Sequence, residues 1–214
     1  FTDIFIDEFQ DLAGWDLNVI EALMRIGIAL TLVGDPRQHI YSTNPSQKNR
    51  QYLGINIIDL IEEWKDSNLC LVESMNGSHR CSSQICEFSN MLWPGMEEMV
   101  SLRTDSSDHE GVFLIAEELI DEYVRRFQPK ILRYDRRANT HGLEALNFGL
   151  AKGLEFERVL IFPTNVIKEY LRTGNLEHIV RGRDKLHVAI TRARRSIGFV
   201  FNDTSPVVTN RWTP

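Results

Sequence analysis

Two acidic residues stand directly after the first apolar run of the sequence. The run DIFIDEF, residues 3–9, is rich in β-favouring side chains and presents Asp7 and Glu8 near its end. In a parallel α/β sheet, ligands bind beyond the carboxyl ends of the strands. One carboxylate at such a position can hold Mg²⁺, and a second can position or deprotonate an attacking water. The alternative is a solvated acidic turn, and the pair alone does not decide between the two.

A second apolar run also ends in a polar loop. The segment LTLVGDPRQHIY, residues 30–41, is predicted to be a strand followed by a turn. Gly34 permits a tight turn, Asp35 and Pro36 fix it, and Gln38 projects a neutral amide. Such an amide can sense a γ-phosphate without adding charge. A G-D-P turn is common by itself, so this interpretation depends on the acidic pair that precedes it.

Together these segments resemble the second and third motifs of the UvrD/Rep-like superfamily 1 helicases, DEFQD and GDPxQxIY. Three more segments are similar to the fourth, fifth and sixth motifs of that family: LVESMNGSHRCSSQI at 71–85, LAKGLEFERVLIF at 150–162 and HVAITRARRSI at 187–197. Five motifs in the family's order are difficult to explain by chance. The chain is therefore identified as resembling the C-terminal part of such a helicase, from the Walker B motif through the sixth motif.

The resemblance implies an ATP-hydrolysing site that uses Mg²⁺, with ATP as substrate. Asp7 matches the residue that holds the metal, and Glu8 matches the residue that activates water. Gln38, Arg80 and Arg192 match the family's other catalytic positions. Arginine suits the last two positions because its planar, permanently charged fork can bond two phosphate oxygens. In the family these arginines stand on the second core domain and face nucleotide held by the first.

The resemblance also implies contacts with nucleotide and with DNA. Glu155 matches the residue that contacts the ribose, and Gly153 in the same loop serves its backbone geometry. His79 takes the place of the family tyrosine, so it either stacks on adenine or is a partly buried histidine with a satisfied hydrogen bond. Tyr41 and Lys152 are the candidate contacts with single-stranded DNA, which binds by stacking on aromatic rings and by phosphate contacts.

Several positions depart from the family pattern. Tyr41 is followed by STNPS where the family has a further aromatic residue, and Gly149 replaces the histidine that precedes AKG. The fourth motif reads SHRC rather than NYRS. The sequence also contains no phosphate-binding loop of the form GxxGxGK[ST]. We therefore expect that the chain is cut from a longer protein and that it is inactive as an ATPase alone.

Strand-like apolar runs alternate with helical periodicity along the chain, which predicts an α/β fold. The resemblance specifies RecA-like parallel sheets flanked by helices, with part of one core domain and a nearly complete second core domain. Residues 1–66 are expected to be the C-terminal part of the first domain, and residues 67–214 the second. LCLVES, residues 69–74, is predicted to be a strand, and SPVVTNRWTP, residues 205–214, an irregular surface segment.

The composition is that of a soluble protein with a core, because 43% of residues are hydrophobic and 25% are charged. No apolar run approaches the ~20 residues of a membrane span. A net charge of −6 argues against a protein that binds nucleic acid through its overall charge, but it does not argue against a local basic groove. The three cysteines have no metal-ligand spacing, so we predict reduced core thiols and a cytoplasmic protein.

Three functions remain open at this point. The first is an ATP-dependent DNA helicase that translocates on single-stranded DNA, for which the family implies 3′-to-5′ polarity. The second is a catalytically inactive helicase-like module that binds DNA or a partner protein. The third is a nuclease-associated helicase subunit in a defence or repair complex.

Overall fold

The computed structural model describes residues 2–202 and 209–214 of the chain. These residues divide into two units. The first unit ends at Met75 and the second begins at Asn76. The sequence placed its boundary after residue 66, which is the last residue of a helix in the first unit. The assignment of these units to two RecA-like domains stays a prediction.

The first unit contains a two-stranded parallel sheet and two helices. Its elements are β1 (Asp3–Ile6), α1 (Trp15–Arg25), β2 (Ala29–Leu32) and α2 (Ile57–Asp66). β1 and β2 pair in parallel, with Asp3 opposite Ala29 and Ile6 opposite Leu32. Both strands therefore end at the same edge. The helices are amphipathic, and their apolar faces form a core with these buried residues: Phe9, Leu17, Ile20, Ile57, Leu60 and Trp64.

The predicted strand at residues 69–74 is wrong. The structure assigns no strand to LCLVES, and the side chain of Leu71 is 97% exposed. An apolar run becomes a strand only where another strand accepts and donates its backbone hydrogen bonds. In the described part of the first unit the sheet consists of β1 and β2 alone, and neither of them pairs with this segment.

Among the described residues, the second unit is built on a six-stranded sheet in which every pairing is parallel. Its elements in chain order are β3 (Gly77–Ser78), α3 (Ser83–Met91), β4 (Val100–Ser101), β5 (Gly111–Ile115), α4 (Ile120–Phe127), β6 (Lys130–Arg133), β7 (Leu146–Asn147), β8 (Phe156–Phe162), α5 (Asn165–Thr173), α6 (Arg183–Ile190), β9 (Ala193–Val200) and β10 (Asn210–Arg211). The order across the sheet is β10-β5-β9-β8-β6-β7, and β3 and β4 form a separate parallel pair.

Helices cover both faces of this sheet. One face packs against α3, α5 and α6, and its core includes Ile85, Tyr170 and Ile190. The other face packs against α4, and its core includes Ile115 and Tyr123. The last four residues of β8 and the last five residues of β9, the two central strands, are all buried, as expected of parallel strands that are covered on both sides. The predicted α/β fold with parallel sheets flanked by helices is confirmed.

The expectation of an irregular surface tail is wrong for the part that the structure describes. Residues 205–208 of that segment lie outside the described residues, but β10 pairs in parallel with β5. Trp212 follows β10, is 6% exposed, and packs edge-on against Tyr123 with ring centroids 5.0 Å apart. A single aromatic residue in a polar tail gives no periodicity, so the pattern of the sequence could not predict this contact.

Candidate functional site

The acidic pair of the first unit stands where the sequence predicted, directly after β1. Asp7 is exposed, and one of its carboxylate oxygens accepts a hydrogen bond from the backbone N–H of Glu8 at 2.8 Å. Glu8 has φ 55° and ψ 39°, a left-handed conformation that residues other than glycine seldom adopt. This conformation turns the chain out of the strand direction and starts a short 3₁₀ turn, Phe9–Asp11. Such local strain is concentrated at functional sites.

Gln10 connects the loop after β1 to the loop after β2. Its side chain is 1% exposed. The amide N–H₂ donates to a carboxylate oxygen of Glu8, and the amide oxygen accepts from the backbone N–H of Asp35 at 3.0 Å. The sequence alone indicates no role for Gln10, because a bridge between two loops exists only once their strands have paired.

Gly34 is needed for this bridge rather than for a turn. A Cβ at position 34 would lie 2.5 Å from the amide oxygen of Gln10 and 3.2 Å from the backbone nitrogen of Phe9. Both distances are shorter than atoms tolerate without a shift. Gly34 does not have a positive φ. Its role is therefore to let the two loops approach each other closely, rather than to form the predicted tight turn.

Asp35 organises the loop after β2. One carboxylate oxygen accepts from the backbone N–H and the Nε of Arg37, at 3.1 and 2.8 Å. The other accepts from the side-chain amide of Gln38 at 3.0 Å. Glu8, Gln10, Asp35 and Gln38 thus form one hydrogen-bonded chain, which we call the carboxylate–amide chain. It brings the predicted water-activating residue and the predicted phosphate sensor into a single arrangement.

Three predicted site residues of the second unit lie together. Nε of Arg80 is 3.2 Å from a carboxylate oxygen of Glu155, and Nη1 of Arg80 donates to the carbonyl of Thr191 at 3.3 Å. Thr191 directly precedes Arg192. Glu155 also lies 3.5 Å from Nη1 of Arg194. The fourth, fifth and sixth motifs therefore meet at one place on this unit.

Arg192 is buried, with 3% of its surface exposed. Its guanidinium donates to the carbonyl of Val188 at 3.1 Å, to the carbonyl of Leu154 at 3.4 Å and to the hydroxyl of Thr191 at 3.1 Å. These bonds tie the end of α6 to the loop before β8. Because so little of this residue is exposed, a contact with a phosphate requires the side chain or the surrounding loop to move.

The remaining predicted residues of this unit lie at its surface. His79 is exposed, so the alternative of a partly buried histidine is wrong. Gly153 has φ 78° with open space where a Cβ would be, in keeping with a role in backbone geometry. Lys152 precedes it in the same loop, half-buried. In the first unit, Tyr41 is exposed and follows the loop that Asp35 organises.

The candidate residues do not all lie at the same end of their strands. Asp7 and Glu8 follow β1 and Arg80 follows β3 closely, whereas Glu155 precedes β8 and Arg192 precedes β9. The rule that ligands bind beyond the carboxyl ends of parallel strands therefore does not describe Glu155 and Arg192. Strand patterns alone do not indicate a site at the amino ends of β8 and β9. These positions were predicted from the helicase-like motifs.

Arg103 is a structural residue of this site that the sequence analysis missed. It lies in a polar loop with no recognisable motif, yet its side chain is buried. Nη1 donates to the carbonyl of Arg194 at 2.6 Å and to that of Arg80 at 3.4 Å. Nε and Nη2 bind the two carboxylate oxygens of Asp105, which lowers the pKa of that carboxyl to about 2. One guanidinium thus joins the backbones of the fourth and sixth motifs.

Replacing Arg103 with Ala is expected to lower the free energy of unfolding of the second unit by about 1.5–3 kcal/mol, because charged hydrogen bonds to buried carbonyls are lost. Urea denaturation of the 214-residue chain, followed by circular dichroism, measures this change. Arg137→Ala is the matched control, since Arg137 is an exposed arginine paired with Asp135. The control is expected to leave the stability essentially unchanged, because exposed ion pairs contribute little. Equal stability of the two variants would show that Arg103 does not stabilise the second unit.

Neither a membrane-crossing helix nor a metal-binding cluster of three or more His, Cys, Asp or Glu side chains is found within residues 2–202 and 209–214. The lack of such a metal-binding cluster among these residues does not argue against Mg²⁺ binding. Mg²⁺ keeps several waters and is usually held by one or two carboxylates together with substrate phosphates. Asp7, an exposed carboxylate at a strand end, fits that mode of binding.

Comparison with known proteins places this arrangement among helicase folds. Residues 1–52 match the family model of the UvrD/REP helicase N-terminal domain. The resemblance to UvrD/Rep-like superfamily 1 helicases that the motifs predicted is confirmed. No curated protein sequence matches the chain.

Solved helicase structures share the fold. The PRRSV helicase is similar over 98% of this chain with a TM-score of 0.56 and 17% identity. The helicase of an arterivirus, nonstructural protein 10, is similar over 92% of the chain with a TM-score of 0.53 and 16% identity, and its complex with DNA gives the same TM-score at 15% identity. The chain spans only 38–39% of the length of these proteins.

Proposed function

We propose that this chain is a portion of an ATP-dependent DNA helicase of the UvrD/Rep type, which couples ATP hydrolysis to movement on single-stranded DNA. The observation that carries the proposal is the carboxylate–amide chain. It links a carboxylate suited to water activation with an amide suited to sensing a phosphate. A binding module without ATPase activity has no need of this linkage.

In the proposed site each residue of the first unit has a distinct role. Asp7 would hold Mg²⁺, which neutralises charge on the phosphates when bound. Glu8 orients and deprotonates the attacking water, and its left-handed backbone fixes the direction of its side chain. Gln38 detects the γ-phosphate, and a change in its position is transmitted through Asp35 and Gln10 to Glu8.

The second unit would supply the arginines. Hydrolysis increases negative charge on the γ-phosphate oxygens, and Arg80 and Arg192 stabilise that charge. Glu155 binds the ribose and, through its ion pair with Arg80, keeps that arginine near the nucleotide. Exposed His79 stacks on the adenine, and Gly153 shapes the loop that carries Glu155.

The isolated 214-residue chain is expected to show no useful ATP hydrolysis. Its sequence contains no GxxGxGK[ST], so it provides no cradle and no lysine for the β- and γ-phosphates. Release of inorganic phosphate, measured with and without oligo(dT), checks this. Steady DNA-stimulated release from this chain alone would contradict the expectation and would require another phosphate-binding element within it.

The proposed function is tested in a longer protein that carries this chain together with a phosphate-binding loop, which we call the parent protein. Phosphate release by the parent protein is expected to rise when single-stranded DNA is added. A non-catalytic module predicts DNA or protein binding with no phosphate release under any condition, and that result would replace the proposal with this alternative.

A further inference from the structure

Trp15 is an exposed aromatic residue beside the candidate site of the first unit. It is 59% exposed, whereas Trp64 and Trp212 are buried and Trp93 is half-buried. All four tryptophans of the sequence lie among the described residues. A large indole open to water is typical of a surface that binds something, because tryptophan is enriched at binding hot spots.

The fold places Trp15 at the strand edge that carries the carboxylate–amide chain. It is the first residue of α1, which follows the loop after β1. The loop after β2 is bound to the same region. The N–H of Thr43 donates to the carbonyl of Asp11 at 2.9 Å, and its hydroxyl donates to Asp16 at 2.6 Å.

Tyr41 lies in the same region of the first unit as Trp15. Thr43 contacts the residues on either side of Trp15, since its hydroxyl also accepts from the N–H of Ala13 at 3.2 Å. Tyr41 precedes Thr43 by two residues, so their Cα atoms are at most about 7 Å apart. Two exposed aromatic side chains therefore lie at one edge of the first unit, although the sequence has no aromatic residue directly after Tyr41.

A cation accompanies the indole. Nζ of Lys48 lies 5.5 Å from the centroid of the Trp15 ring, in cation–π contact. The loop that carries Lys48 is anchored by Asn49, whose amide donates to the carbonyl of Gly14 at 2.8 Å. Asp16, the acid that follows Trp15 in the sequence, accepts from Thr43 and from Asn44 at 3.2 Å. An aromatic face and an ammonium group are thus held side by side on a fixed loop.

We propose that Trp15 stacks on a base of single-stranded nucleic acid while Lys48 contacts an adjacent phosphate. Stacking on an aromatic side chain and neutralisation of phosphates by lysine or arginine are the two elements of single-strand binding. This inference rests on the proposed function, because it names a contact that extends the binding surface from Tyr41 to the start of α1. The proposed ligand is single-stranded, because a base must be unpaired and unstacked to present its face to the indole.

The position of Trp15 permits a direct test with the 214-residue chain. Oligo(dT) is expected to quench the intrinsic tryptophan fluorescence, because Trp15 is the exposed indole. Trp15→Phe is expected to remove the quenching and retain most of the affinity, since a phenyl ring still stacks. Trp15→Ala is expected to weaken binding about tenfold, measured by anisotropy of a labelled oligo(dT) at low salt. Lys48→Ala is expected to reduce the slope of log K against log salt by about 0.7.

Val19→Ala is the matched control, since Val19 is 57% exposed on the same helix. It is expected to change neither quenching nor affinity. If the chain binds oligo(dT) and the Trp15→Ala variant binds it as tightly as the unaltered 214-residue chain does, the inference is overturned while the proposed function stands. If the chain binds no oligo(dT) at low salt, both the inference and the nucleic-acid part of the proposed function are contradicted.

Discussion

Replacing Glu8 with Gln is expected to slow ATP hydrolysis by the parent protein about 10²-fold or more while leaving Mg-ATP binding in place. The loss corresponds to removal of a general base. Glutamine has the same shape, so the hydrogen bond with the Gln10 amide can persist through the remaining carbonyl oxygen. Binding is retained because Asp7, the proposed metal-binding residue, is unchanged.

Single-turnover phosphate release and equilibrium nucleotide binding, measured on the same Glu8→Gln preparation, separate the two effects. Asp3→Asn is the control, since Asp3 is an exposed acid at the start of β1, the same strand. It is expected to hydrolyse ATP at the rate of the unaltered protein. Normal turnover by Glu8→Gln would show that this carboxylate is not the base.

Replacing Arg192 with Ala is expected to abolish DNA-stimulated ATP hydrolysis and to leave nucleotide-free binding to single-stranded DNA largely intact. The proposed role of this arginine is to stabilise charge that develops on the γ-phosphate rather than to hold DNA. Arg192→Lys is expected to rescue poorly, because an ammonium group cannot reproduce the planar two-pronged fork.

The burial of Arg192 makes a control for folding necessary. Its hydrogen bonds to Val188, Leu154 and Thr191 are lost in the Ala variant, so part of any effect is structural. Unchanged circular dichroism and unchanged single-strand affinity, together with absent ATP hydrolysis, assign the loss to catalysis. Intact ATP hydrolysis in a folded Arg192→Ala protein would rule out the arginine as a γ-phosphate contact. A DNA-binding module instead predicts weaker and less salt-dependent DNA binding in this variant.

The sequence predicted the sheets well because parallel strands covered on both faces are short, nearly continuous apolar runs. The strand β2, for example, was predicted from the apolar run that begins at residue 30. The predicted strand at 69–74 failed because local pattern does not include the partner that a strand needs. The contact of Trp212 escaped prediction because it depends on the packing of a distant tail against α4.

The candidate site was predictable in its residue types and only partly in its arrangement. The pairing of β1 with β2 is expected of two successive strands, so the closeness of the loops that carry Glu8 and Gln38 could be anticipated. The bridge through Gln10 could not, because it depends on the closeness that Gly34 permits. The buried positions of Arg192 and Arg103 were equally hidden, since arginines are usually exposed and these two become buried only when distant loops meet.

The coupling of ATP hydrolysis to movement on single-stranded DNA is the central claim, and displacement of streptavidin from biotinylated oligo(dT) by the parent protein tests it most directly. The family resemblance implies 3′-to-5′ movement, so ATP is expected to accelerate displacement from the 5′ end far more than from the 3′ end. Glu8→Gln is expected to abolish the acceleration. A parent protein that binds oligo(dT) but displaces streptavidin equally with and without ATP would contradict the claim.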